Sequence, residues 1–109
     1  MFIVRNEKQP IKWPVTVSVP QDGGGIREYK FTAFFQMLTA DQIKEFENEG
    51  DEAYIEKILV GWGTDLVDEE STPIPFSDEM RNKLAQMTNV KLGIVNAYWN
   101  LIRGVKAKN

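Results

Sequence analysis

Apolar and polar residues alternate between Ile11 and Val19: Trp13, Val15, Val17 and Val19 share one face, and Lys12, Thr16 and Ser18 the other. A period of two predicts a half-buried strand. Pro14 lacks an amide hydrogen, so that strand is expected at a sheet edge or with a bulge. The turn Pro20-Gln21-Asp22-Gly23-Gly24-Gly25 follows, and Ile26 to Leu38 alternates again, with Tyr29, Phe31, Ala33 and Phe35 on one side. Together they predict a β-hairpin of long arms. Phe2-Ile3-Val4 offers a short edge strand that would make the sheet three-stranded.

From Thr39 the apolar period lengthens to that of a helix. Thr39 and Gln42 fit a capping box, Ile43 and Phe46 are the expected buried pair, and Gly50 closes the helix. A second helix is expected to start with Asp51 as its cap and to run through Tyr54, Ile55, Ile58, Leu59 and Trp62, where Gly61 and Gly63 stop it. Ser77, followed by Asp78 and Glu79, begins a third helix striped by Met80, Leu84 and Met87. After a break at Thr88-Asn89, a fourth carries Val90, Ile94, Val95, Tyr98, Leu101 and Ile102, with Trp99 at the edge of that stripe. The fold class is therefore α+β: a hairpin or three-stranded antiparallel sheet over residues 1–38, three or four helices over 39–106, and a tail at 107–109.

Length and composition narrow the chemistry. A chain of 109 residues forms one domain. A hydrophobic content of 42% with 27% charged residues suits a water-exposed globular protein rather than a membrane span. The start MFIVRNEKQP lacks the apolar core of a secretion signal, so a cytoplasmic location is expected. There is no cysteine and no histidine. Disulfides, thiolate zinc sites, cysteine nucleophiles and the commonest general base are thereby excluded. Gly23-Gly24-Gly25 is followed by a strand and no Gly-Lys-Ser/Thr, so it is a hairpin tip and not a phosphate loop. The expectation is a non-enzyme with no catalytic residues, no metal and no cofactor.

Charge is unevenly placed: residues 1–39 carry a net +2, residues 40–72 a net −9 and residues 73–109 a net +4. The acidic middle argues against a nucleic-acid surface. Its spaced glutamates read as a solvated face. The basic residues from Arg103 to Lys108 read as cations at a helix C-terminus.

The centre of this pattern is Leu59 to Met80: a tryptophan at the end of an apolar segment, Gly63, four acids, the stiff run Pro73-Ile74-Pro75-Phe76, and a helix opened by Ser77. Proline at 73 and 75 fixes φ and holds Ile74 and Phe76 at low entropic cost. This stretch, with a later aromatic at Tyr98, resembles the small tail assembly chaperones of long-tailed bacteriophages over residues 46–102. Many members carry a glycine just before the proline run, where this chain has Glu70-Ser71-Thr72.

The resemblance implies a protein of the infected bacterial cytoplasm, absent from the mature virion. It would bind the long helical tape measure protein and keep it soluble until the tail tube assembles. The tail tube protein would be a second partner, and self-association is compatible. Trp62, Ile74, Phe76, Tyr98 and Trp99 are the expected partner-binding residues. The alternative is a small structural phage protein, a head–tail connector or tail subunit, whose hairpin would join a neighbour's sheet.

Overall fold

Two ten-residue strands form the hairpin that the alternation requires. A computed structural model of the chain describes residues 1–4 and 9–105. In it β1 (Ile11–Pro20) pairs antiparallel with β2 (Ile26–Phe35), with Val15 opposite Phe31 and Trp13 opposite Ala33. The turn closes through the Gln21 amide donating to the Gly25 carbonyl at 2.8 Å. Val15, Val17, Phe31, Ala33 and Phe35 are buried, whereas Ile26 and Tyr29, nearer the tip, are exposed.

The third strand is not residues 2–4, which are exposed and outside the sheet. It is β3 (Leu59–Trp62), paired antiparallel with β2 in the order β1-β2-β3. This corrects the expectation that the second helix runs on to Trp62. Phe35 pairs with Leu59 and Phe34 with Gly61, so Val60 is the extra residue of a bulge and points to solvent. The bulge resets the alternation and lets Leu59 and Trp62, three apart, share the core side.

β1 is an edge strand, as Pro14 requires. The Thr16 carbonyl faces away from β2, so Pro14, two residues earlier, also turns its backbone outward and its missing N–H breaks no ladder bond. The helices are α1 (Ala40–Glu47), α2 (Asp51–Ile58), α3 (Asp78–Ala85) and α4 (Thr88–Ile102). α4 lies along β1, and Gly93 permits the approach: a Cβ there would stand 2.5 Å from the Thr16 carbonyl oxygen. Tyr98, Phe35, Ile55, Ile58, Leu59, Ile94 and Val15 form the fully buried centre.

Two of the helix caps depart from expectation, and so does the burial of α1. Thr39 does close a capping box on α1, and Ser77 accepts from the Met80 amide at 3.1 Å. The cap of α2, however, is Gly50, with Asp51 already in the first turn. Met87 lies beyond α3, is exposed, and serves as N-cap of α4 without a side-chain bond. Ile43 and Phe46 are half-buried rather than buried, because α1 rests on the surface of the core. The expected tail at 107–109 lies outside the described residues, as do Lys106 and Lys108. Among the described residues no helix is long and apolar enough to cross a membrane.

Candidate functional site

The linker between β3 and α3 is an ordered loop pinned at several points. Just past the short β3, Asp65 accepts from the Thr32 amide at 2.9 Å, a donor that a longer strand would have used, and from its hydroxyl at 2.8 Å. Asp68 accepts from the Glu70 and Thr72 amides at 2.9 and 3.0 Å, which folds residues 66–74 into a tight hairpin-like turn closed by a bridge between Val67 and Pro73. Ser71 sits at its tip with φ of 63°, in the left-handed region that favours glycine. Two of the four acids are thus structural. Glu69 and Glu70 are exposed at the tip.

The five residues expected to bind a partner fall into two groups. The Trp62 indole donates to the Ile74 carbonyl at 2.7 Å and meets the Phe76 ring edge-on at 4.7 Å, so the proline run is clamped to β3. Trp62 is buried, while Ile74 and Phe76 are half-buried. The buried Arg81 guanidinium lies over the Phe76 ring at 6.0 Å and bridges to Asp78 at 3.2 Å.

In the other group, Tyr98 is fully buried between Phe35 and Tyr54. Its hydroxyl donates to the Gln36 carbonyl at 2.9 Å and accepts from the Leu38 amide at 3.0 Å. Burial pushes its pKa up, opposed by the bond from Leu38. Trp99, half-buried, lies 6.4 Å from Tyr54. No ring contact among the described residues joins the two groups. Tyr98 and Trp62 act as internal struts; Ile74, Phe76 and Trp99 keep part of their surface open.

The clearest apolar concavity lies beside the loop. Tyr29 and Phe31 of β2, Leu66 and Val67 of the loop, Leu84 of α3 and Val90 of α4 line a groove of about 240 Å³, with Lys30 and Asp65 at its rim. Tyr29 and Val67 are exposed, and the floor is core. Ile74, Pro75 and Met80 line a second, more open cleft with Glu79 and Lys83 at its edge. Sequence reasoning placed Tyr29 on the core face, which its register confirms, but the helices do not extend far enough to cover it. The pair Leu66-Val67, two apolar residues inside an acidic run, was the available signal for the groove. Among the described residues no three acidic side chains converge to hold a metal ion.

Comparison with known protein families, characterised proteins and solved structures finds no match to this chain.

Proposed function

We propose that this chain is a phage tail assembly chaperone that binds the helical tape measure protein in the bacterial cytoplasm and keeps it soluble during tail assembly. Two things support the reading: the resemblance carried by Trp62 to Ser77, and the groove between Tyr29, Val67 and Val90. The groove is the carrying observation. Its lining is mainly apolar, and the one carboxylate in it, Asp65, is already bonded to Thr32. Such a surface suits an amphipathic helix presenting apolar anchors at i and i+3 or i+4. Non-directional apolar contact tolerates many similar helices. Glu69 and Glu70, at the tip of the adjoining turn, add charge that disfavours aggregation of the loaded complex.

Affinity per site is expected near the micromolar range, about −8 kcal/mol, since the tube subunits must later displace the chaperone. The test is co-expression with the tape measure protein from the same phage. The soluble fraction of that protein should rise and the two should co-purify. If it is equally insoluble with and without the chain, while the chain alone forms rings or tubes, the structural-protein alternative replaces this one.

A further inference from the structure

β2 is longer than the strand beside it. Its full length pairs with β1, but β3 pairs only with Ala33, Phe34 and Phe35, and the Gly63 amide adds one last bond to the Thr32 carbonyl at 2.9 Å. From Ile26 to Phe31 no strand flanks β2 on that side among the described residues. In an antiparallel ladder the main chain of every second residue faces the same neighbour. Thr32 faces β3, and Lys30 and Glu28 follow in the same row. Phe31 and Tyr29, between them, pair with Val15 and Val17 of β1.

β3 goes no further because the chain leaves the sheet there. Asp65 takes the Thr32 amide, and Leu66 and Val67 lead into the acidic turn. The apolar groove of about 240 Å³ opens at this step, with Tyr29, Phe31, Leu66 and Val67 in its lining. Main-chain donors and acceptors along the edge of β2 thus stand beside an apolar concavity.

We propose that the edge of β2 from Glu28 to Phe31 is a strand-acceptor site, to which a partner segment adds in extended form, antiparallel to β2 and in line with β3. The ladder fixes its register. Residues opposite Lys30 and Glu28 exchange main-chain bonds and keep their side chains on the outer face of the sheet. Residues opposite Phe31 and Tyr29, two apart, direct theirs into the groove. The occupant is a segment with apolar β-branched residues at i and i+2 and polar residues between them. Strand and helix both need the groove, so a bound strand evicts a bound helix and gives the chain a release step. That consequence rests on the chaperone reading; the strand site does not.

Amide hydrogen exchange on the full chain, with and without the peptide acetyl-Thr-Val-Thr-Val-Thr-amide, tests it. In the free chain the Glu28 amide, on the open edge, should exchange about tenfold faster than that of Tyr29, which faces Val17. Millimolar peptide should slow Glu28 about tenfold. Glu28→Pro removes this donor without breaking a bond to β1, as Pro14 does on the opposite edge. It should weaken the peptide about fivefold, the effect of one net hydrogen bond, while Glu28→Ala leaves binding unchanged. A Glu28 amide already protected in the free chain, or unaffected by millimolar peptide, overturns the site whatever the tape measure protein does. Peptide that slows Glu28 without lowering capture of the tape measure protein overturns the eviction step. A chain that binds the peptide at Glu28 but captures no tape measure protein removes the chaperone reading and leaves the strand site in place.

Discussion

Single residues in this chain carry conformations and ionisations that can be tested without a partner. Ser71 holds φ of 63° at the tip of the acidic turn, where a β-carbon is crowded by the backbone. Ser71→Gly should therefore raise the unfolding free energy by about 0.5–1 kcal/mol, part of the relief being offset by glycine's greater freedom in the unfolded chain. Urea midpoints of the two proteins would show it. Tyr54 gives a pH signature. Its pKa is pushed up to about 12 from an ordinary 10.0, mainly by burial and secondarily by Tyr98 and Glu47. Below pH 10 the phenol is neutral in both states. Between pH 10 and about 12 the unfolded chain releases a proton that the folded chain retains, so stability falls as pH rises through that window. Tyr54→Phe should shallow that fall, measured as urea midpoints from pH 9 to 12. A slope identical to the wild type would mean the phenol ionises freely in the fold.

Among the elements, the loop from Gly63 to Ser77 depends on one aromatic contact. Phe76 is half-buried against Trp62 rather than enclosed in the core. Phe76→Ala should cost about 2 kcal/mol, less than the roughly 3–5 kcal/mol of a fully buried aromatic. A change below about 0.5 kcal/mol in chemical unfolding would show that the ring does not hold the loop. The hairpin, the capping box at Thr39 and the start of α3 at Ser77 were legible because each follows from a local rule of period or capping. β3 was not, because its bulge at Val60 places Leu59 and Trp62 three apart on one side. Following Ile55 and Ile58, that spacing matches the repeat of a helix. Pairing with Phe35 and Ala33, 24 and 29 residues earlier in the chain, decides the matter and leaves no local mark. The burial of Tyr98 was foreseeable as part of an apolar stripe. Its bonds to Gln36 and Leu38 were not, since they span about sixty residues.

For the molecule as a whole, charge and apolar surface are arranged around the same loop. An apolar groove adjoins a turn whose two exposed glutamates make no side-chain bond among the described residues, while Asp65 and Asp68 are spent on folding. Neutralising all four acids would also unpin the loop; Glu69→Gln with Glu70→Gln isolates the solubilising role proposed for the tip. The central claim is that the groove holds a helix of the tape measure protein. Val67 is exposed at its lip, so Val67→Asp places a charge in the apolar contact without emptying the core. The decisive measurement is the amount of tape measure protein captured by the wild-type chain and by Val67→Asp at matched melting temperature. The account predicts at least a tenfold drop for the variant. Equal capture by both, or none by either, would contradict it.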